Sequence, residues 1–307
     1  MRKPAAIAVA VVIALVLSAC GAKSEDVNPT TEAFSVALDW YPNPDHAGLL
    51  VAQDAGYFKD AGLDVSLDAP SDPSLPIKLV AAGKVDLALS YEPEVLLARE
   101  QGLDVVAVGA VVNRPLTSMI WLKKSKVKRV ADLKGKTVST AGIAYQQAYL
   151  KTILARAGLS ENDVKQVSVS QGLVPSIVSG SAQATLGPFW NIKMSGQKPV
   201  VSPVDKLGVP TYDELVLVAR GETVRDDPDS IRLFMGALAR GTAEAAAKPN
   251  QATASVMAAN DALKPKVTAA QVNATLPILD NKTKSRHYGY MDSSDWQLFI
   301  NWMVENG

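Results

Sequence analysis

Short runs rich in β-branched and other apolar residues alternate with helical stretches along residues 34–219. Helical periodicity occupies most of the gaps between these runs, at residues 47–59, 74–82, 93–100, 144–157 and 173–179. The strand candidates are residues 34–38, 63–67, 85–90, 105–112, 118–122, 136–140, 164–170, 184–189 and 215–219. Apolar strands that alternate with helices are typical of parallel sheets covered on both faces. The pattern therefore predicts an α/β protein with parallel sheets.

Repeated junctions indicate two similarly built halves. The segments AGLDV at 61–65 and QGLDV at 101–105 each give a helix a glycine stop before a strand begins. A second echo links residues 82–86 with residues 179–183, each of which joins a helix end to a strand. A chain of 307 residues is long enough for two lobes with separate cores. Two lobes are therefore predicted.

The predicted lobes are discontinuous. No long low-complexity stretch interrupts the chain, so we expect the breaks at residues 113–117 and 212–214. Lobe I then comprises residues 34–115 and 215–307, and lobe II comprises residues 116–214. Past residue 219 the pattern becomes helical, with predicted helices at 230–247, 249–262 and around Trp296–Met303, whose aromatic side chains we interpret as core contacts.

The N-terminus has the features of a secretory signal. Arg2 and Lys3 precede an apolar run that is shorter than the roughly 20 residues needed to cross a bilayer. The run ends in the sequence LSAC at 17–20, which resembles the lipobox of bacterial lipoproteins. We therefore expect residues 1–19 to be a signal peptide, Cys20 to carry lipid, and the polar residues 20–33 to form a tether. A plain secretory signal and an uncleaved anchor helix are the alternatives.

Charge and motif content exclude several classes of function. The 31 basic and 31 acidic residues cancel, which gives no electrostatic drive toward nucleic acid. One cysteine and two histidines are too few for the common zinc motifs, so neither a metal site nor a structural disulfide is predicted. The GKT at 135–137 lacks the first glycine of a phosphate-binding loop, because Val130 occupies that position. The sequence has no Gly-x-Ser-x-Gly elbow, no calcium-binding loop and no Gly-x-Gly-x-x-Gly after a strand, and an enzyme is not predicted.

The most informative segment is DWYPNPDHAG at residues 39–48. It places aromatic, amide, carboxylate and imidazole groups on one turn between a predicted strand and a predicted helix. Ligands of open α/β sheets bind at such turns, at the carboxyl ends of the strands. Two prolines hold the loop, and Asp45 and His46 stand at a helix N-terminus. We interpret the loop as part of a pocket; in the alternative, Trp40 is a core residue and Asp45 only caps the helix.

This segment, with AQDAGYFK at 52–59 and GLDV at 62–65, resembles the NMT1/THI5-like branch of the substrate-binding proteins of ABC importers, which bind thiamine pyrimidine precursors. The resemblance runs from about residue 35 to residue 240. It implies a two-lobed, type II periplasmic-binding-protein-like fold with a ligand cleft between the lobes. It also implies a monomer that delivers a small molecule to a permease and an ATPase, attached outside the cytoplasm by its lipid, with no cofactor and no nucleic acid.

The resemblance also implies a set of ligand-binding residues. Trp40 and His46 fall on the family's pocket loop, and Tyr91 in SYEPE at 90–94 resembles the next pocket element. Trp190 and Asn191, in GPFWNIK at 187–193, resemble the element of the second lobe that closes over the ligand. From its position between a strand and a helix, the turn at Thr140 and Gly142 is expected to offer backbone amides to an electronegative group. The full predicted set is Trp40, Asp45, His46, Tyr91, Thr140, Gly142, Trp190, Asn191 and Lys193.

Flat aromatic walls favour a planar heterocycle. The resemblance implies that this heterocycle is a thiamine pyrimidine precursor or a related compound. Lys193 departs from the family, which commonly carries an acid there, and a lysine offers only donors and a positive charge. Receptors for another small solute, such as a quaternary amine, a flavin or an oxyanion, therefore remain alternatives. The family also contains a eukaryotic enzyme that builds the pyrimidine from its own histidine, so a pyrimidine-synthesis enzyme that uses His46 is the alternative from another class.

Overall fold

The computed structural model describes residues 31–170, 172–188, 198–279 and 287–307. Within these residues, ten strands form two five-stranded sheets. The strands are β1 (Glu32–Ala37), β2 (Leu63–Asp68), β3 (Leu87–Ser90), β4 (Val105–Val112), β5 (Thr117–Leu122), β6 (Thr137–Thr140), β7 (Lys165–Ser168), β8 (Ala184–Pro188), β9 (Pro199–Pro203) and β10 (Leu215–Arg220).

Both sheets are mixed, whereas the sequence pattern predicted parallel sheets. The first sheet has the order β2-β1-β3-β10-β4, and the second has the order β7-β6-β8-β5-β9. Strand β10 runs antiparallel to β3 and β4, and β5 runs antiparallel to β8 and β9. Each of these two strands enters its sheet straight from a segment that links the two sheets, without the crossover helix that a parallel neighbour requires. The prediction was therefore wrong where no helix separates consecutive strands.

The helices surround the sheets and then continue as a C-terminal series. They are α1 (Ala47–Asp54), α2 (Tyr57–Asp60), α3 (Pro76–Ala81), α4 (Glu92–Glu100), α5 (Gln146–Arg156), α6 (Leu173–Ser179), α7 (Gly221–Asp226), α8 (Pro228–Ala247), α9 (Pro249–Ala258), α10 (Pro265–Leu279) and α11 (Ser293–Asn306). No helix of the described ranges is both long enough and apolar enough to cross a membrane.

Among the elements that differ from the sequence-based expectation, three have a local reason. The single helix predicted at 47–59 is split at Gly56, whose φ of 75° lies in the left-handed region that ends helices. Strand β9 was missed because a proline stands at each of its ends, and prolines are tolerated there because β9 is an edge strand. Helix α10 was missed because Pro277 interrupts its pattern.

Each sheet has its own apolar core. In the first, the Phe234 ring stacks on Phe34 and Phe58, with centroid distances of 5.5 and 4.9 Å. In the second, the Tyr212 ring lies 5.4 Å from Tyr149 and 4.9 Å from Phe299 of α11. Helix α11 thus places side chains in the core of the second sheet, although its sequence position led us to assign it to lobe I. The lobe boundaries themselves stay a prediction.

Candidate functional site

The loop after β1 is held in one conformation by local hydrogen bonds. The side-chain oxygen of Asn43 accepts from the backbone N–H of Asp45 at 2.8 Å, which caps the 3₁₀ turn Pro44–His46. The Asn43 side-chain amide in turn donates to the carbonyl of Tyr41 at 2.9 Å. From the C-terminal helices, Asn260 donates to the carbonyl of Pro42, also at 2.9 Å. The loop is therefore held in place by hydrogen bonds from within the protein.

His46 lies behind this loop, fully buried, with both ring nitrogens in use. The backbone N–H of Asn43 donates to Nδ1 at 3.2 Å, so Nδ1 carries no proton. The proton is therefore on Nε2, which donates to Oδ1 of Asp39 at 2.8 Å. His46 accordingly orients Asp39 and braces the loop, and it has no nitrogen left for a ligand or a metal.

Asp39 joins the loop to the next pocket element. Its second oxygen accepts from the hydroxyl of Tyr91 at 2.6 Å. Burial, reinforced by the neighbouring charge of Asp39, raises the pKa of Tyr91 well above its ordinary value, so the phenol stays protonated and remains a donor. The Tyr91 ring lies 5.9 Å from the ring of Tyr145, which belongs to the side of the second sheet. The contact between Tyr91 and Tyr145 thus connects the side of the first sheet with the side of the second.

A cavity of about 270 Å³ opens between the two sheets beside these groups. Its walls come from the loop after β1, the starts of α4 and α5, the links between the sheets, and α9 to α10. The lining includes Asp39, Trp40, Tyr41, Asn43, Asp45, Tyr91, Thr117, Ala141, Tyr145, Gln146, Leu173, Pro188, Glu214, Asn260, Leu263 and Gln271. A space somewhat smaller than the roughly 300–1,000 Å³ of drug-sized pockets suits a small monocyclic ligand.

Asp45 brings a buried acceptor without a partner to the wall of this cavity. Its Oδ1 atom is shielded from solvent and has no hydrogen-bond partner among the described residues. Burial raises the pKa of Asp45 well above its ordinary value, and the carboxylates of Asp39 and Glu214 raise it further. A ligand that donates a hydrogen bond to Oδ1 relieves this unfavourable burial. The atom that Oδ1 lacks is therefore a hydrogen-bond donor.

Glu214 ties together the two segments that link the sheets. Its Oε2 accepts from the backbone N–H groups of Leu116 and Thr117 at 2.8 and 3.0 Å, and from the Tyr212 hydroxyl at 2.6 Å. Its Oε1 accepts from the Thr117 hydroxyl at 2.6 Å. Burial raises the pKa of Glu214, while the bonds from Thr117 and Tyr212 oppose that rise. The residues predicted as breaks between lobes are thus joined through one carboxylate.

The structure brings some of the predicted site residues together and separates others. Trp40, Asp45 and Tyr91 line the cavity, whereas His46 is buried behind it. Gly142 lines a second, more open space of about 450 Å³, which shares Ala141 and Ile143 with the cavity. Trp190, Asn191 and Lys193 lie outside the described residues, as does Cys20. The ligand contacts of all these residues stay a prediction.

The turn predicted to offer backbone amides already uses them. The N–H of Ala141 donates to Oε1 of Gln146 at 2.9 Å, and the N–H of Gly142 donates to the Thr140 hydroxyl at 3.3 Å. These amides serve the loop itself in this structure. The described part of the chain holds no cluster of three or more histidine, cysteine, aspartate or glutamate side chains arranged to bind a metal ion.

Sequence reasoning missed several residues of the cavity wall, among them Tyr145, Gln146, Glu214, Asn260 and Gln271. Glu214 had a usable signal, because it falls in a predicted break between lobes. Gln146 follows the predicted turn at 140–142 closely enough to have been considered. Nothing in the local sequence marks Asn260 or Gln271, which reach the cavity only through the packing of the C-terminal helices.

Comparison with known proteins identifies a family and several relatives of this chain. The NMT1/THI5-like family model matches residues 43–252, more than half of the chain. The chain is 38% identical over 282 residues to a protein of Haemophilus influenzae named for thiamine biosynthesis, covering 90% of this chain and 88% of that protein. It is 35% identical over 297 residues to the formylaminopyrimidine-binding protein of Halalkalibacterium halodurans, covering 94% and 90%.

Two more distant matches show the breadth of the fold. A 4-amino-5-hydroxymethyl-2-methylpyrimidine phosphate synthase of Schizosaccharomyces pombe is 25% identical over 236 residues, covering 72% of this chain and 68% of that protein. The periplasmic aliphatic sulphonate binding protein of Escherichia coli superposes with a TM-score of 0.69 at 16% identity, covering 90% and 87%. The fold is therefore the two-lobed fold of periplasmic binding proteins, and the chain belongs to the NMT1/THI5-like family.

Proposed function

We propose that this protein is the substrate-binding component of an ABC importer and that it captures a small aminopyrimidine, a thiamine pyrimidine precursor or a close relative. The observation that carries the proposal is the unpaired Oδ1 of Asp45 in a cavity walled by Trp40 and Tyr91. The exocyclic amine of an aminopyrimidine supplies the missing donor, and the aromatic side chains offer surfaces for its ring. The name of the Halalkalibacterium halodurans relative points to the same chemical class.

Binding rather than catalysis fits the arrangement of His46. An enzyme that consumes its own histidine needs that imidazole within reach of a metal or a substrate. Here one ring nitrogen of His46 bonds to Asp39 and the other accepts from the backbone of Asn43, and the ring is fully buried. The synthases are also the more distant relatives, at 25% identity. A quaternary amine and a deprotonated oxyanion carry no N–H donor for Asp45. A flavin does carry one, but its three fused rings exceed a cavity of about 270 Å³ that suits a single ring.

The proposal includes a place for the protein in the cell. A binding protein of this kind works outside the cytoplasm, as a monomer that docks on a permease with its ATPase. The sequence LSAC at 17–20 supports cleavage of residues 1–19 and lipid attachment at Cys20, with residues 20–33 as the tether. The intact mass of protein extracted from membranes tests the lipid anchor, and a Cys20 free of acyl mass contradicts it.

The test of the proposed ligand is a calorimetric titration with a matched pair of pyrimidines. One is 4-amino-5-hydroxymethyl-2-methylpyrimidine, and the other is 5-hydroxymethyl-2-methylpyrimidine, which has hydrogen in place of the amine and so offers Asp45 no N–H donor. We expect the amine to bind more than tenfold tighter, equivalent to about 1.4 kcal/mol. Asp45→Ala should remove most of that preference because it removes the acceptor.

Asp64→Ala is the matched control, since Asp64 is an exposed side chain of β2. It should retain the full preference for the amine. Equal affinity of the unaltered protein for both pyrimidines, or no binding of either one, contradicts the proposed ligand class.

A further inference from the structure

Helix α10 contributes a polar side chain to the cavity that has no partner in the protein. Gln271 is only 5% exposed, and it lines the same cavity as Asp45. Its side-chain oxygen Oε1 has no hydrogen-bond partner among the described residues. A buried acceptor without a partner is unfavourable to folding, and native proteins rarely keep one without a reason.

The surroundings of Gln271 show that a packing role does not explain it. The buried face of α10 otherwise consists of apolar side chains and threonines. Thr268 donates to the carbonyl of Lys264 at 3.1 Å, and the Thr275 hydroxyl has no partner within the described chain but does not line the cavity. Gln146, the other buried glutamine of the cavity wall, accepts from the backbone of Ala141. Gln271 differs from these residues, because it lines the cavity and its oxygen meets no donor among the described residues.

Gln271 and Asp45 belong to the same region of the site. Helix α10 packs against the 3₁₀ turn Pro44–His46, which carries Asp45. Asn260, in the connection just before α10, fastens the same loop by donating to the carbonyl of Pro42. Asp45 and Gln271 are the cavity-lining residues of the described chain whose buried side-chain oxygens lack a partner. A primary amine on an aromatic ring carries two N–H donors, so it matches two such acceptors.

We propose that Gln271 is a specificity-determining residue of this site, and that its side-chain oxygen and that of Asp45 each accept one N–H of the ligand's exocyclic amine. The inference rests on the proposed function and deepens it, since it assigns both hydrogens of the amine. It also explains why the C-terminal helices take part in the site: they supply the second acceptor. A ligand without the amine leaves both acceptors unpaired and loses affinity accordingly.

The test combines a protein variant with a ligand variant. Gln271→Met keeps the length of the side chain and removes the amide. Its affinity for 4-amino-5-hydroxymethyl-2-methylpyrimidine is compared with its affinity for 5-hydroxymethyl-2-methylpyrimidine, which has hydrogen in place of the amine. We expect Gln271→Met to lower the affinity for the aminopyrimidine at least tenfold, equivalent to about 1.4 kcal/mol. The affinity for the pyrimidine without the amine should change less than twofold. Gln271→Asn, which withdraws the amide by one methylene, should give a selective loss in the same direction.

Thermal unfolding of the ligand-free variants supplies the second readout. Gln271→Met should unfold at the same temperature as the unaltered protein or higher, because it removes an unpaired buried acceptor. Gln146→Met should unfold at a lower temperature, because it leaves the Ala141 N–H without its acceptor.

The outcomes separate this inference from the proposed function. If the unaltered protein binds the aminopyrimidine but Gln271→Met weakens both pyrimidines equally, or weakens neither, Gln271 has only a structural role and the inference is overturned while the proposed function stands. If the unaltered protein binds neither pyrimidine, the result contradicts the proposed function itself, and the inference about Gln271 with it.

Discussion

At the scale of single residues, burial raises the pKa values of several carboxyl groups. Glu92, at the start of α4, is fully buried; its Oε2 accepts from the backbone N–H of Asp213 at 2.6 Å, and its Oε1 has no partner among the described residues. Burial, with smaller contributions from the charges of Asp213 and Asp295, raises the pKa of Glu92 to about 8. Burial also raises the pKa of Asp213 to about 6, although Trp296 donates to it at 2.7 Å.

These shifts predict that the protein loses stability as pH rises. The folded protein holds the Glu92 proton up to about pH 8, whereas the unfolded chain releases it near the ordinary value of 4.5. Stability contributed by this proton is therefore complete below about pH 4.5 and is lost by about pH 8. Glu92→Gln keeps an acceptor for the Asp213 N–H and cannot ionise.

The measurement is the unfolding temperature at pH 5 and at pH 8.5. We expect the unaltered protein to lose at least about 4 °C more than Glu92→Gln over this interval, since about 1 kcal/mol shifts the midpoint by 2–4 °C in a domain of this size. Asp213 titrates in both proteins, so its contribution to the change in unfolding temperature cancels when the two proteins are compared. Parallel pH curves for the two proteins would show that Glu92 is ionised in the folded state.

Residue-level sequence reasoning succeeded where chemistry was clustered along the chain. The loop at 39–48 identified a stretch that does line the cavity, because its prolines and capping residues act locally. It did not reveal that His46 is buried and bonded to Asp39, because a one-dimensional pattern does not show such a contact. Gln271 gave no signal at all, since a lone glutamine in a helix is ordinary until the packing of α10 makes it an unpaired acceptor.

At the level of elements, the two segments that link the sheets donate four hydrogen bonds to the Glu214 carboxylate. The breaks predicted at 113–117 and 212–214 coincide with the connection from β4 to β5 and with the approach to β10. The sequence indicated these places because they lack strand or helix periodicity. It did not indicate that Glu214 joins them, since a pairing between residues about a hundred positions apart leaves no mark on either segment alone.

Removing the Glu214 carboxylate should therefore destabilise the whole protein. Glu214→Ala leaves the N–H groups of Leu116 and Thr117 and two hydroxyls without an acceptor. We expect a loss of roughly 3 kcal/mol or more, because each buried unsatisfied group costs about 1–3 kcal/mol. Denaturant titration measures that loss.

Glu214→Gln is the matched variant for the same position. Its amide oxygen can take the place of Oε2, and its amide nitrogen can donate to the Thr117 hydroxyl, so it should lose less than half as much stability. If Glu214→Ala is as stable as the unaltered protein, the carboxylate does not hold the two segments together.

For the whole molecule, the alternation of strands and helices predicted the α/β class, and the repeated junctions together with the chain length predicted two lobes. Hydrophobic periodicity predicts fold class well because burial of a sheet between helices constrains many residues at once. It did not predict the mixed order of the strands, because the direction of β5 and β10 depends on how the chain passes between sheets. The cavity depends on the same chain path, because residues from both sheets, both linking segments and the C-terminal helices line it.

A crystal structure of the complex with 4-amino-5-hydroxymethyl-2-methylpyrimidine tests the central claim most directly. We predict that the ring lies in the cavity in contact with Trp40 and Tyr91, with its amine nitrogen about 2.7–3.2 Å from Oδ1 of Asp45. A ring bound elsewhere on the protein, or bound in the cavity with its amine turned away and Asp45 still unpaired, would contradict the account.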